Sequence, residues 1–417
     1  MINFSLRQWE HLYNPHHPDR SCYWTVLNHE TNQSTKFNFK HDAMVYQQAL
    51  PHGTLYFHWY EKEFAKLSVS AEPVESHAEL CRQRAQELRD TYKYLRLFFS
   101  GGSDSLTALH SFVDNNIYLD EIVVGEYFDG SNYSDPMNSS NREIRLYALP
   151  HLKEIAHLIP NTKITVIKAT AKDADDLFNN FSDTPEKLPV FDSLEGNMHF
   201  ALDYSWVWCK VGNQTEHEDW CDISGGSKVK LFKNQDRWYF YFVDSAMGDM
   251  INSPRAEDFF VSKNIPNLYL KTVYLLKNFF TSQNFNDNTV NEFHSQPNMG
   301  RIYNAAMGRT VASGIAAYKT YFATHNAEDW KNNFVSGWHS TAFFKNIVTT
   351  SEGEKWIKNY QRSMQDMLLI SKDQWNVDAL GNPAPPLGRK GHLSKFYCLN
   401  DGVAYDSIQA KQNTPIL

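Results

Sequence analysis

The fold of this chain is decided by the stretch Leu95-Arg96-Leu97-Phe98-Phe99-Ser100-Gly101-Gly102-Ser103-Asp104-Ser105. Its first half is an apolar run that predicts a buried strand, and apolar residues after it recur at helical spacing, at Leu106, Leu109, Phe112 and Val113. A Gly-rich turn and a helix N-terminus therefore follow the strand. Small residues let a backbone approach phosphates, and the N–H groups and dipole of a helix N-terminus favour negative charge. The stretch predicts an anion site, with Asp104 available to Mg²⁺.

The pattern Ser-Gly-Gly-x-Asp-Ser at residues 100–105 resembles the PP-loop of the N-type ATP pyrophosphatases. That superfamily includes asparagine synthetase, GMP synthetase, tRNA-lysidine synthetase and phosphoadenylylsulfate reductase-like proteins. No Gly-Lys-Ser/Thr follows, so the γ-phosphoryl transfer of P-loop kinases is not indicated. The resemblance covers about residues 76–250. It implies an α/β domain with a parallel, HUP-like (Rossmann-like) sheet that binds ATP and Mg²⁺.

The resemblance also implies roles for individual residues. Asp104 would contact Mg²⁺, and adenine would lie against the ends of the first two strands, near Phe98, Phe99 and the backbone of Glu126 and Tyr127. Pyrophosphate would be held by Ser100, Gly101, Gly102, Ser103 and Ser105. In the implied reaction a substrate oxygen attacks the α-phosphate of ATP and pyrophosphate leaves. An amine or ammonia then expels AMP.

A second Gly cluster, Ser224-Gly225-Gly226-Ser227-Lys228, lies between two apolar segments. A lysine beside small residues can neutralise charge that builds on a leaving phosphate, so Lys228 joins Asp104 as a candidate catalytic residue. The alternative is a glycine turn before a hairpin, with Lys228 in solvent. Weaker candidates are Asp244 and Asp249 as metal contacts, Arg301 and Arg309 as anion contacts, and the run 216–222 as a metal site. The competing interpretations are that the two aspartates cap loops and that the two arginines form surface salt bridges. The acidic residues of the run 216–222 are contiguous and are not spaced for tetrahedral metal coordination.

Three parts are predicted along the chain. Residues 1–75 form a small β-rich segment, with strands at 22–27 and 54–60. Residues 76–250 form the ATP-binding α/β domain, in which strands near 95–99, 121–127 and 163–168 alternate with helices and therefore predict a parallel sheet. An insertion occupies about 171–221, and a hairpin follows at 229–243. Residues 251–417 are predicted to be mainly helical.

Two local signals mark helices in the α/β domain. Ser76 and Glu79 have the spacing of a capping box and predict that a helix opens there. Pro150 is expected to kink or divide the helix that runs from 144 to 159, because proline has no N–H to donate.

Composition narrows the function classes. The 417 residues include 42% hydrophobic and 21% charged residues, which is ordinary for a globular protein of two or three domains. The net charge of −8 gives no electrostatic reason to expect duplex nucleic acid. The N-terminus does not resemble a signal peptide, no apolar run has the length of a membrane span, and the five cysteines are scattered. We therefore expect reduced thiols, a cytoplasmic location and no membrane partner.

The leading hypothesis is an ATP-dependent adenylating enzyme that forms AMP and pyrophosphate. Like asparagine synthetase, it would activate a carboxylate or carbonyl oxygen of a small molecule for attack by an amine or ammonia. Position 2 is Ile2, so the N-terminal cysteine of a glutaminase domain is missing. Two alternatives remain: a PP-loop enzyme that modifies nucleic-acid bases, and a nucleotide-binding module without turnover. Reductive sulfur chemistry is disfavoured because no Cys-x-x-Cys or Glu-Cys-Gly motif occurs.

Overall fold

Three β-sheets organise the part of the chain that the structure describes. This computed structural model describes residues 22–37, 43, 46–47, 49–50, 53–126, 144–168, 219–225, 229–243, 256–291, 299–307 and 393–405. Among these residues, no helix combines the length and apolar character needed to cross a bilayer.

The first sheet is antiparallel and comes from the N-terminal part of the chain. It consists of β1 (Cys22–Asn28), β2 (Gln33–Phe37) and β3 (Gly53–Trp59), in the order β2-β1-β3. The strands predicted at 22–27 and 54–60 are thereby confirmed to within one or two residues. A short helix, α1 (Glu61–Phe64), follows β3.

The second sheet has five strands, and every pairing in it is parallel. Its strand order is β6-β5-β4-β7-β10. Its elements are α2 (His77–Thr91), β4 (Tyr94–Phe98), α3 (Ser103–Val113), β5 (Glu121–Glu126), α4 (Leu149–Glu154), β6 (Lys163–Lys168), β7 (Trp220–Ser224) and β10 (Ala256–Asp258). This arrangement confirms the predicted α/β, Rossmann-like class of the domain.

Alternation along the parallel strands divides their side chains between two faces. Leu95, Leu97 and Ile223 join one hydrophobic core with residues of α2 and α3, including Leu88 and Leu109. Helix α2 opens at Ser76, whose hydroxyl accepts a hydrogen bond from the Glu79 N–H, as the capping-box spacing predicts.

The helix around Pro150 is divided, as predicted. A π-helical turn, Ile144–Ala148, runs directly into α4, which has Pro150 in its first turn. Proline lacks an N–H, so a regular α-helical hydrogen bond from position 150 is impossible. The wider turn places Tyr147 and Ala148 against the loop that follows β4.

The third sheet is antiparallel, with the order β12-β11-β9-β8. It consists of β8 (Lys230–Asn234), β9 (Arg237–Tyr241), β11 (Phe396–Cys398) and β12 (Ala404–Tyr405). Three helices lie between β10 and β11 in chain order: α5 (Pro266–Ser282), α6 (Asp287–Asn291) and α7 (Met299–Ala306). The hairpin of β8 and β9 turns at Gln235 and Asp236, as predicted. Trp24 and Phe57 of the first sheet share one core with Phe240 and Tyr397 of the third.

Two strands of the parallel sheet were not predicted. β7 begins at Trp220, in what the sequence indicated as the end of the irregular insertion. β10 lies at 256–258, where a helical region was expected to begin. Both strands were missed because they are short and carry buried polar residues, which hides the apolar pattern of a central strand. The helical character of most of 308–392 stays a prediction, since that segment lies outside the described residues.

Candidate functional site

The candidate site lies where the order of the parallel strands reverses. β4 has β5 on one side and β7 on the other, so the chain leaving β4 and the chain leaving β7 start from neighbouring carboxyl ends. Ligands of open α/β sheets bind in the crevice at such a switch point. The loop 99–105 follows β4, and the second Gly cluster follows β7.

Gly101 adopts a backbone conformation that only glycine takes without strain. Its φ is +83°. A Cβ atom there would lie 2.9 Å from the Cβ of Ala148 and 3.0 Å from Cδ1 of Tyr147, which is too close for any side chain. The loop after β4 is therefore held tightly against the turn before α4, and this close contact explains why position 101 of the motif is glycine.

Hydroxyl groups hold the loop in this shape. The N–H of Gly102 donates to Ser100 Oγ at 3.3 Å, and Ser105 Oγ donates to the carbonyl of Gly102 at 3.1 Å. The two serine oxygens lie 3.2 Å apart. Ser105 is buried, whereas Ser100 is exposed. Ser105 thus shapes the loop from within, and Ser100 is the hydroxyl that faces solvent.

The N-terminus of α3 provides the electrostatic part of the site. Its N-cap residue is Gly102, and no side chain among the described residues caps the helix. Ser103 and Asp104 form the first turn and are half-buried. Backbone N–H groups and the positive end of the helix dipole therefore favour an anion at this position.

Asp104 suits a nucleotide-bound Mg²⁺ by the chemistry of its side chain. Mg²⁺ is usually held by one or two carboxylates together with substrate phosphates and water. In the described ranges no group of three or more His, Cys, Asp or Glu residues forms a metal cluster of its own. A single carboxylate beside the Gly-rich loop fits a Mg²⁺ ion that is held partly by substrate phosphates, and it does not fit a Mg²⁺ ion held by protein ligands alone.

The two Gly clusters of the sequence meet in the structure. A Cβ on Gly225 would lie 3.5 Å from the carbonyl oxygen of Asp104 and 3.4 Å from Cε2 of Phe260. Gly225, the residue after β7, therefore lies beside the first turn of α3. Lys228 and the residues 226–227 lie outside the described residues, so the catalytic role of Lys228 stays a prediction.

Phe99 was predicted to lie near adenine, at the end of the first strand of the parallel sheet. Its side chain is buried in the core of the parallel sheet, and its N–H donates to the Val123 carbonyl at 2.8 Å. Its ring centroid lies 6.4 Å from that of His151, beneath the loop. Phe99 supports the loop and offers no exposed ring face to a base. Tyr127, the other predicted neighbour of adenine, lies outside the described residues.

A charged cluster at the carboxyl end of β5 was missed by the sequence reasoning. Glu126 is buried and accepts from Arg145 Nε at 3.2 Å, while Lys168 Nζ lies 3.4 Å from its second oxygen. The pairing depends on strand register, because Glu126 and Lys168 are partners on β5 and β6, and no local signal reveals it.

A buried ion pair joins β4 to β7 just before their loops begin. Arg96 Nε donates to Asp222 Oδ1 at 2.6 Å, and both side chains are 0% exposed. The two residues are direct partners in the ladder, and the Arg96 guanidinium lies 4.3 Å from the Trp220 ring centroid. Asp222 is therefore engaged by arginine, which removes it from the metal interpretation of the run 216–222.

The structure does not describe the side chains of the remaining candidates. Asp244, Asp249 and Arg309 lie outside the described residues, and for Arg301 only the backbone, in α7, is described. Their predicted roles stay predictions.

Comparison of the chain with protein-family models finds no matching family, and comparison with curated proteins finds no matching relative.

Proposed function

We propose that the chain binds Mg-ATP on the loop 100–105 and uses it to adenylate a small-molecule substrate, with release of pyrophosphate and later of AMP. The observation that carries the proposal is the meeting of two Gly-rich turns at the switch point, where Gly225 packs against the carbonyl of Asp104. One loop supplies the N-terminus of α3, and Gly225 of the other lies beside its first turn. An elongated polyanion fits between such turns better than a neutral ligand does.

The residues divide the work of the proposed reaction between them. The N–H groups at the start of α3 and the Ser100 hydroxyl would hold the phosphates, and Asp104 would hold Mg²⁺, which neutralises phosphate charge when bound. Lys228 would add positive charge beside the leaving pyrophosphate. Preorganised donors of this kind act where charge develops in the transition state.

The chemistry has two displacements. A carboxylate or carbonyl oxygen of the substrate attacks the α-phosphorus, the bond between the α-phosphorus and the bridging oxygen breaks, and pyrophosphate leaves with that oxygen. An amine or ammonia then attacks the activated carbon, and AMP leaves with the substrate oxygen. Neither of these two displacement steps transfers the γ-phosphoryl group, so ADP is not a product of the proposed reaction.

Analysis of the products from α-labelled ATP tests the proposal. The full chain would be incubated with Mg²⁺, labelled ATP and a mixture of small-molecule metabolites that includes ammonium. We expect labelled AMP or a labelled adenylate, at a rate reduced at least tenfold by Asp104→Asn. The matched control is Asp90→Asn, an exposed residue of α2 that accepts a hydrogen bond from Gln86 in the same helix, and this change should leave the rate unchanged.

Labelled ADP as the main product would refute the adenylation. Mg-ATP binding that Asp104→Asn weakens, without turnover in any mixture, would instead identify a nucleotide-binding module and would also overturn the enzymatic part of the proposal.

A further inference from the structure

A threonine, a histidine and a glutamate form a chain of hydrogen bonds on the first sheet. Thr25 lies on β1, His58 lies on the neighbouring strand β3, and Glu61 is the first residue of α1. Thr25 Oγ1 lies 2.7 Å from His58 Nε2, and His58 Nδ1 lies 2.5 Å from Glu61 Oε2. This is the geometry of a hydroxyl nucleophile bound to a base that a third group orients.

The carboxylate decides the direction of both hydrogen bonds. The hydrogen bond from His58, assisted by Lys395, keeps the pKa of Glu61 at about 2, so Glu61 is ionised at neutral pH and can only accept. In the neutral imidazole of His58 the proton is then on Nδ1, and Nε2 keeps its lone pair. The Thr25 hydroxyl therefore donates to Nε2. His58 is in position to take the Thr25 proton as a general base.

The backbone between His58 and Glu61 adopts an unusual conformation. Tyr60 has a φ of +46° and a ψ of +33°, which is left-handed. The other non-glycine residues with positive φ in the described ranges are Asn or Gln, and a bulky aromatic residue there is an outlier. This turn begins α1, which brings the Glu61 carboxylate back to the His58 ring. Strained residues of this kind cluster at functional sites.

The chain of hydrogen bonds is partly shielded from water and lies near a positive charge. The side chains of His58 and Glu61 are 11% and 22% exposed, and Thr25 is half-buried. The His58 ring stacks on Tyr23 at a centroid distance of 4.5 Å, which holds its plane. Lys36, the partner of Thr25 on β2, has its Nζ 4.2 Å from the centroid of the same tyrosine ring. An ammonium group there can stabilise the oxyanion that forms when a hydroxyl attacks a carbonyl.

We infer that Thr25 is a nucleophile for acyl transfer from activated esters, with His58 as its general base and Glu61 as the positioning residue. Thr25 Oγ1 attacks the carbonyl carbon while its proton passes to His58 Nε2. The bond from that carbon to the alcohol oxygen breaks, and the alcohol leaves with the proton from His58. Water, activated by the same nitrogen, then hydrolyses the acyl group from Thr25. None of these residues belongs to the loop 100–105, so the inference does not depend on nucleotide binding.

Acetylation of the full chain by p-nitrophenyl acetate, without ATP, tests this inference. Mass spectrometry of the peptides locates the acetyl group, and release of p-nitrophenolate gives the rate. We expect the acetyl group on Thr25, and a rate that Thr25→Val and His58→Gln each reduce about 100-fold or more. Glu61→Gln should lower kcat by about tenfold or more with KM unchanged, because the new amide can donate to Nδ1 and favours the wrong tautomer.

The same sheet contains a matched control. Thr54 Oγ1 lies 2.7 Å from His29 Nε2, as Thr25 Oγ1 does from His58 Nε2, but His29 has no carboxylate partner among the described residues. Thr54→Val should therefore leave the acetylation of Thr25 unchanged, and Thr54 itself should carry no acetyl group.

The outcomes separate a nucleophile from an ordinary set of hydrogen bonds across the sheet. Absence of an acetyl group on Thr25, equal labelling of Thr54 and Thr25, or an unchanged rate in His58→Gln would each overturn the inference. If Thr25→Val does not fold, Thr25→Ser decides, because it keeps a hydroxyl beside His58 and should still be acetylated at position 25. A folded Thr25→Ser variant without acetylation there would also contradict the inference.

Discussion

At the scale of single residues, Gly101 is the position on which the candidate site depends. Its left-handed backbone and its contact with Ala148 are separate constraints, and both exclude a side chain. The contact joins the loop after β4 to the turn before α4, so a change at Gly101 would move the donors of α3 as well as strain the backbone.

Gly101→Ala should lower the free energy of unfolding by about 2–6 kcal/mol, since a strained φ and an overpacked contact each cost about 1–3 kcal/mol. Urea denaturation followed by circular dichroism measures this. Gly402→Ala is the matched control, because Gly402 has a similar φ of +78° but its Cβ would lie no closer than 3.6 Å to another residue. An equal loss in both variants would show that the Ala148 contact is unimportant.

At the scale of the elements, the ion pair between Arg96 and Asp222 fixes β4 against β7. Both side chains are fully buried, so neither charge has water to replace its partner. Buried pairs of this kind contribute little net stability, but breaking one leaves an uncompensated charge. The pair thereby holds one register between the two strands that carry the loops.

Asp222→Ala should destabilise the chain by about 3–5 kcal/mol, because it leaves the Arg96 guanidinium without this carboxylate in the interior. The double variant Arg96→Met with Asp222→Leu should recover most of that loss. Urea unfolding of the three proteins measures both values. A double variant that is no more stable than Asp222→Ala would argue against the charge as the cause.

The elements also show how far sequence reasoning reaches. β4, β5 and β6 were predicted because each is an apolar run, and α2 because Ser76 and Glu79 have capping-box spacing. The loop 100–105 was predicted because its combination of residues is rare and because the residues that form it are consecutive in the sequence. β7 was missed because Asp222 interrupts its apolar pattern, and only the distant Arg96 explains that residue. The contacts of Gly101 with Ala148 and of Asp104 with Gly225 join residues far apart in sequence, which no local pattern encodes.

At the scale of the whole molecule, one helix links two of the hydrophobic cores of the described residues. α5 contributes Leu268 to the core of the parallel sheet and Leu270 to the core shared by the first and third sheets. The N-terminal strands are further tied to the C-terminal part by Lys395, whose Nζ lies 2.9 Å from Glu61 Oε1. Parts that are remote in sequence should therefore unfold together.

Glu61 gives this linkage a measurable pH dependence. The hydrogen bond from His58, assisted by Lys395, lowers the pKa of Glu61 from 4.5 to about 2. A carboxyl whose pKa is lower in the folded chain stabilises it above the unfolded value. The stabilisation, on the order of 3 kcal/mol, is therefore complete above pH 4.5 and is lost as the pH falls towards 2.

Glu61→Gln should remove this contribution at neutral pH and flatten the dependence of stability on pH between about 4.5 and 2. Lys395→Met should have a smaller effect in the same direction, because Lys395 is the secondary cause of the shift. Urea unfolding measured across that pH range compares the three proteins. Identical slopes for wild type and Glu61→Gln would mean that the carboxylate is not stabilised in the folded chain.

The most direct test of the proposed function is the binding of Mg-ATP to the loop 100–105, measured by isothermal titration calorimetry on three proteins that are first shown to be folded. We expect one saturable site in the wild-type chain, an affinity at least tenfold lower in Gly101→Ala, and wild-type affinity in Gly402→Ala. Absence of binding to the wild-type chain, or equal binding by Gly101→Ala, would contradict it.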